Sequence, residues 1–438
     1  MVFSREEVLQ YHLGGKVGMM CRRPLATVED LCLAYTPGVG EAVRAIAADP
    51  ASSRTYSSRG NLVAVVSDGT AILGLGDLGA TASIPVMEGK AVLFKAFGDV
   101  DAWPVPLDRC RVGAENTGPT DPERVIDLVA SLAPMYSGIN LEDIAAPACF
   151  AIEDRLDEML DIPVFHDDQW GTAVITLAGV INYSELSQRA MSELRCVING
   201  AGAAGIRIAE MLKAAGVRDV ILCDSRGIVT AQRDGISGKK AEHAVDLPEG
   251  TVGDALSGAH VFIGVSVADC LKPNDILAMA SYPAIFAMAN PVPEIDPALV
   301  AATLQGKPYV IATGRSDYPN QINNVLGFPF LFRGALDAGA HTINMAMKTA
   351  AARALADLAR KDICSEVQSY YDQESLVFGP GYLIPKPFDP RLLTDVSYAV
   401  AEAAAQSGVA VAGTDLDAIR LQLAERHAVL RKSRVEAR

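Results

Sequence analysis

The sequence predicts an α/β protein: a doubly wound parallel sheet over its second half and a separate α/β part before it. Three observations carry this. The chain has 438 residues, more than one hydrophobic core serves well. From Leu194 onward, short apolar runs alternate with helical segments, the pattern of a parallel sheet covered on both faces. A glycine turn, "INGAGAAG", sits where one of those runs feeds a helix.

Taken in order, residues 1 to about 60 read as helical and loop-rich, with a break at "YTPGVG" (35–40). "NLVAVVSDG" is a strand ending in a turn, followed by "AILGLGDLG" and "IPVMEGKAVLFKAFG". "DPERVIDLVASLAPMY" (121–136) is an amphipathic helix. "INLEDIAAP" comes next, then "FHDDQWGTA", with an apolar lead-in (Ile162, Val164, Phe165) and a helix-like run behind it. "RCVINGAGAAGIRIAEMLKAAGVRDVILCDSRG" is strand, glycine turn, helix, strand. "HVFIGVS", "AIFAMANP" and "PYVIAT" are further short strands. Residues 335–361 and 393–438 are Ala-rich helices, joined through the Pro-rich "GPGYLIPKPFDP". The expected division is a substrate domain over 1–160, a nucleotide-binding Rossmann-type domain over 161–385, and C-terminal helices over 386–438 that pack back on the first part.

A net charge of −15 argues against a nucleic-acid surface or an anionic membrane as partner. The eight cysteines are scattered, with no C-x-x-C pair, as free thiols in a reducing compartment would be. No signal-like apolar core opens the chain, and no run of about 18 apolar residues occurs. The expectation is a cytoplasmic protein.

G-x-G-x-x-G occurs twice, at Gly74-Gly76-Gly79 and at Gly200-Gly202-Gly205. Only the second copy has the required context of strand, helix, second strand and a closing acid, Asp224, 19 residues after Gly205. Gly200, Gly202, Ala203, Ala204 and Gly205 are therefore the expected cofactor loop, where backbone meets a pyrophosphate at a helix start. In the first copy, Pro85 is expected to interrupt any helix in its second turn. Asp224 would favour NAD, because it repels a 2′-phosphate; Arg226 could instead pair with that phosphate, so NAD and NADP both stay open.

Two acidic pairs stand in apolar frames: Glu142-Asp143 and Asp167-Asp168. Close carboxylates raise one another's pKa, a conflict that a hard divalent cation such as Mg²⁺ or Mn²⁺ removes. The alternative is that the acids cap helix starts. Lys90, in the apolar stretch after a glycine, could be desolvated and act as a base. Tyr35 precedes a tight turn that could fix its hydroxyl in a cleft.

Together these motifs resemble the malic enzymes, specifically the short bacterial type. The resemblance spans nearly the whole chain, through "AYTPGVG", "VVSDGTAILGLGDLGATASIPVMEGKAVLFKAFG", "GINLEDIAAP", "FHDDQWGTA", "INGAGAAG", "FAMANPVPEI", "ATGRSDYPNQINNVLGFPFLFRGALD" and "IPKPFDPRL". It implies Tyr35 as general acid and Lys90 as general base. It implies Glu142, Asp143 and Asp168 as metal ligands and Asp167 as support for the lysine. Asn290 and Asn324 would hold the substrate, with Asn290 also near the cofactor. The implied reaction is oxidative decarboxylation of L-malate to pyruvate and CO₂ by a homodimer, and the absence of a phosphotransacetylase-like extension suggests a stand-alone enzyme. Two departures stand out. Trp170 occupies a position where the short family usually has histidine, and Thr70 and Ala71 lie where larger malic enzymes carry a carboxylate-binding arginine; Arg315 is a weak substitute. The competing readings are a malolactic-type enzyme that releases lactate and a catalytically silent metabolite-binding protein.

Overall fold

The computed structural model describes residues 3–436 apart from 73, 114, 316 and 372–375, and the backbone alone of 433–436. Two parallel sheets organise it. The first is four-stranded, in the order β2-β1-β3-β4, built from β1 (Leu62–Ser67), β2 (Asp101–Pro106), β3 (Gly138–Leu141) and β4 (Val164–His166). Its last strand thus lies beyond residue 160. The second has the order β10-β9-β8-β5-β6-β7, from β5 (Arg195–Asn199), β6 (Asp219–Asp224), β7 (Gly227–Ile228), β8 (Val261–Gly264), β9 (Ala284–Ala287) and β10 (Val310–Thr313). Only β7 runs antiparallel.

Side chains alternate across the second sheet with period two, and each set meets a different layer. Cys196, Ile198, Leu222, Ile263 and Phe286 join the main core with α8 (Thr172–Ser187) and α9 (Ala203–Ala214). Val197, Ile221, Cys223, Phe262 and Ile285 form a second cluster with α10 (Val252–Leu256), α11 (Pro273–Ala278) and α12 (Pro297–Thr303). That is the doubly wound arrangement.

In the first half, α5 (Ala80–Gly98) connects β1 to β2, while α6 (Pro122–Leu132) and α7 (Ala148–Met159) follow β2 and β3. The expected break at Pro85 does not occur: α5 is continuous through it. An interior proline costs roughly 3 kcal/mol, but Ser83, Met87, Ala91, Phe94 and Phe97 make one buried stripe, so packing prevails. Phe94 meets Phe328 and Phe332 edge-on, with ring centroids 4.7 and 5.2 Å away. Those two phenylalanines belong to α13 (Phe328–Asp337), which lies late in the sequence yet packs on the first sheet. Then come α14 (Met345–Arg360), α15 (Ser365–Tyr370), α16 (Arg391–Gln406) and α17 (Leu416–Glu436). On α17, Arg426 reaches the end of α5, its Nη1 2.6 Å from Asp99 Oδ2.

The first 57 residues behave differently. Their helices, α1 (Arg5–His12), α2 (Val28–Ala34), α3 (Val39–Ala48) and α4 (Ser53–Tyr56), contain no buried residue.

Candidate active site

The carboxyl ends of both sheets open on one cleft of about 600 Å³. This is where ligands bind in open parallel sheets. Glu142 and Asp143 follow β3, and Asp168 follows β4; Val265 and Ser266 follow β8, and Met288, Ala289 and Asn290 follow β9. Ala204 at the start of α9, Lys90 from α5, and Asn323 and Asn324 also line it.

Lys90 stands at the centre. Its Nζ is 2.6 Å from Asp167 Oδ2 and 2.8 Å from Glu142 Oε1. The ammonium also lies 4.3 Å from the centroid of the Phe328 ring. Burial pulls its pKa down, but Asp167, Glu142 and Asp168 outweigh burial and hold it above the ordinary lysine range. The desolvation expected of this lysine is present, and with no cation among them the carboxylates offset it.

Glu142, Asp143 and Asp168 can present oxygens within 4.8 Å of one another. Burial, reinforced by neighbouring carboxylates, drives Glu142 well above the usual carboxyl range, and burial first, with Asp167, lifts Asp168 to about 6. Three hard oxygen donors under mutual repulsion suit a divalent cation. The backbone is bent to this purpose: Asp143 has φ 53°, a left-handed conformation uncommon outside glycine. There its N–H donates to Asp168 Oδ2 at 2.7 Å, and its carbonyl accepts from the Ala71 N–H at 2.9 Å.

Asp167 and Asp168 are not helix caps. They start one wide π turn, Asp167–Gly171, ahead of α8, whose N-cap is Gly171 without a side-chain bond. Asp167 is wholly buried and also accepts from Asn324 Nδ2 at 2.9 Å. The two adjacent charges therefore serve different partners, one the Lys90 ammonium and one the Asp143 N–H.

On the nucleotide side, the glycine turn fits a dinucleotide. Gly200 has φ 125°, and a Cβ on Gly205 would lie 1.7 Å from Gly200 O. A Cβ on Gly202 would meet nothing within 4 Å, so the backbone there is open to a ligand. The start of α9 has no side-chain cap, which leaves its N–H groups for an anion. Asp224 ends β6, but Arg226 does not grip it with its side chain: its Nη1 donates to Asp234 O at 3.3 Å. Arg233 and Lys240 hold Asp224 instead, at 3.0 Å each. Burial opposes them, yet Arg233, the Arg226 N–H and Lys240 pull Asp224 down to about 2.

Two expected residues are not brought in. Tyr35 is 69% exposed at the end of α2 and is absent from the cleft lining. Arg315 is taken by Asp317 at 2.9 and 2.7 Å and is likewise absent from the lining. Other contributors escaped the sequence reading. Asn140 Nδ2 donates to Glu142 Oε2 at 2.9 Å; its place on β3, two residues before Glu142, was the available signal. Trp170 is buried, with its indole N–H donating to Glu153 Oε2 at 3.0 Å. Arg207 of α9 and Lys348 of α14 lie 4.4 and 3.6 Å from its ring centroid. The other Glu153 oxygen accepts the His166 N–H at 2.8 Å, just before the paired aspartates. Trp170 thus ties the Asp167–Gly171 turn to α9 and α14 and does not line the cleft.

Fold and site define a two-sheet α/β protein in which a dinucleotide-type turn faces a lysine–carboxylate cluster. Comparisons agree. The family model described as "Malic enzyme, N-terminal domain" matches residues 14–157, and "Malic enzyme, NAD binding domain" matches 170–374. An NADP-dependent malic enzyme of Rhizobium meliloti is 51% identical over 93% of this chain, which spans only 53% of that protein's length. An NAD-dependent malic enzyme of Geobacillus stearothermophilus is 47% identical over 91% of this chain and 78% of its own. The crystal structure of malic enzyme from Pyrococcus horikoshii superposes with a TM-score of 0.87 at 39% identity, covering 98% of this chain and 96% of that one. The chain belongs to the malic enzyme family.

Proposed function

We propose that this protein oxidatively decarboxylates L-malate to pyruvate and CO₂ with reduction of a nicotinamide dinucleotide, dependent on Mg²⁺ or Mn²⁺. The observation that carries the reading is the Lys90 ammonium held by Asp167 and Glu142, with the carboxylate trio beside it and the glycine turn across the cleft.

Glu142, Asp143 and Asp168 would hold the cation, which supplies Lewis-acid stabilisation of charge on substrate oxygens. The glycine turn and Asn290 would hold the dinucleotide, which supplies the hydride acceptor. Once the carboxylate charge is matched by a cation, burial is the larger remaining influence on Lys90 and favours its neutral form. Neutral Lys90 takes the C2 hydroxyl proton of malate, and Asp167 keeps its amine aimed. Asn324, bonded to Asp167, and Asn290 position the substrate. After loss of CO₂, a proton returns to C3, the role that the resemblance gives to Tyr35, whose hydroxyl stands outside the cleft of a single chain. Trp170 has no part in proton transfer, since an indole can only donate and pack.

For the cofactor we propose NADP, although Asp224 taken alone would favour NAD. Asp224 is already matched by Arg233 and Lys240, and Arg226 stands exposed beside it. A 2′-phosphate would meet net positive charge there. A cytoplasmic homodimer completes the reading; the free cysteines fit a reducing compartment. The test is cofactor reduction with L-malate and Mn²⁺, NAD against NADP, with pyruvate and lactate both quantified. Pyruvate formed in step with NADPH is the expected result. Lactate without net reduction would reassign the chemistry, and malate binding without either product would end the enzyme reading.

A further inference from the structure

We infer that Arg207 is a positioning residue: it locks the helix that would receive the dinucleotide to the turn that carries Asp167 and Asp168, so that cation and dinucleotide strengthen each other's binding. The inference rests on the cation and cofactor roles proposed above. The two sites belong to different sheets. Asp167 and Asp168 follow β4 of the first, and α9 follows β5 of the second. Hydride transfer between them tolerates little error in their spacing. Arg207 stands at this seam. It lies on α9 three residues past Ala204, which lines the cleft. A rise of about 1.5 Å per residue puts it about 4.5 Å behind the helix start that would face the pyrophosphate.

The side chain is buried, and every guanidinium nitrogen donates. Nε reaches Gln169 Oε1, in the residue after Asp168, at 2.8 Å. Nη2 reaches Glu153 Oε2 at 3.3 Å and Asp154 Oδ1 at 3.1 Å, both on α7. Nη1 turns back to Glu210 Oε2, within α9, at 3.0 Å. The guanidinium also lies against the Trp170 ring. Arg207 thus meets two consecutive residues of the turn. Its partner Glu153 brackets the same turn, holding the His166 N–H before it and the Trp170 indole near its end. None of Arg207, Gln169, Glu153 and Trp170 lines the cleft, so this cluster touches neither ligand and acts on both through position alone. A buried ion pair seldom gains stability over apolar side chains of the same size. What the planar guanidinium adds is direction, since it fixes several partners at once. A turn and a helix start held as one piece need ordering only once. The first ligand bears that cost, and the second binds more tightly, in either order.

The test is the binding cycle of Mn²⁺ with NADPH or NADH, whichever the wild type holds more tightly. Free Mn²⁺ is followed by electron paramagnetic resonance and the dinucleotide by its own fluorescence, each with and without the other ligand. In the wild type each ligand is expected to tighten the other about fivefold or more. Gln169→Leu removes the bond between turn and arginine and leaves the ion pairs of Arg207 in place. Arg207→Lys keeps the charge but cannot reach Gln169 and Glu153 together. Both variants are expected to abolish the mutual tightening, while each ligand alone binds within about twofold of its wild-type affinity. Glu210→Gln is the control: it cuts a bond internal to α9, and the tightening should persist. A Gln169→Leu or Arg207→Lys protein that keeps the full tightening would overturn the inference. Equal loss in Glu210→Gln would overturn it too, by tracing the effect to charge rather than to the link. A wild type that binds both ligands with no mutual effect would end the inference and leave the proposed function standing. A wild type that binds neither would end the proposed function itself, and the inference with it.

Discussion

The molecule contains two strand–glycine–helix–strand units, and they put the same topology to opposite uses. In the first, β1 leads through Gly74, Gly76 and Gly79 into α5, and all three glycines have positive φ. In the second, β5 leads through Gly200, Gly202 and Gly205 into α9, and only Gly200 does. The first loop closes on itself, Ile72 bridging Gly76, and its helix delivers a side chain, Lys90, to the cleft. The second is pressed tight, Gly205 against Gly200 O, and delivers backbone. The ends of the first sheet gather acids, while those of the second offer uncharged residues. Spacing of glycines does not distinguish the two; what a Cβ would strike does.

Lys90→Ala should have the largest effect, because it removes what the first unit exists to supply. Turnover should fall about a thousandfold or more, while metal-dependent malate binding, followed by calorimetry, persists. Gly205→Ala strikes the second unit: its Cβ cannot fit beside Gly200 O, and stability should drop by about 1–3 kcal/mol with loss of cofactor binding. Gly76→Ala is the sharpening control. Its Cβ meets nothing within 4 Å, so only the left-handed backbone conformation resists it, at about 1 kcal/mol, with cofactor affinity unchanged. Denaturant melts and fluorescence titration with NADPH measure both glycine variants.

pH separates the two units further. Asp168 titrates at about 6 in the folded protein against a usual 3.8. Its charge therefore costs the metal-free protein stability above about pH 6, a cost relieved as pH falls through that value. Cation binding needs the ionised form. Apparent Mn²⁺ affinity should fall by up to about tenfold per pH unit below pH 6, whereas dinucleotide affinity at the second unit should change less. The smallest effect concerns the far end of that unit. Lys240→Ala should lower kcat/KM for NADP by about tenfold relative to NAD; an unchanged ratio would break the proposed assignment of NADP.

Much of this was legible in residue order, and the failures share a cause. The second sheet could be read because its strands are short apolar runs separated by helices, a local signal. The carboxylate pairs could be read because acids in apolar frames are costly. Pro85 misled because its penalty is local, whereas the stripe from Ser83 to Phe97 that overrides it depends on α13, more than two hundred residues later. Lys90's setting was legible only in part: burial follows from its apolar neighbours in sequence, but the carboxylates that offset it arrive from β3 and β4. Arg233 and Lys240 were missed because nothing in spacing says that a loop folds back on Asp224.

The buried indole has one more consequence, an optical one. The chain has two tryptophans, Trp103, which is 41% exposed, and Trp170, which is 5% exposed. The second lies two residues past Asp168, with Arg207 and Lys348 both against its ring. Its emission should be blue-shifted and sheltered from iodide, while that of Trp103 is quenched. Filling the carboxylate trio alters the charge beside one chromophore and leaves the other as an internal reference. A cation bound there as proposed would give the protein its own fluorescent gauge, readable without any label.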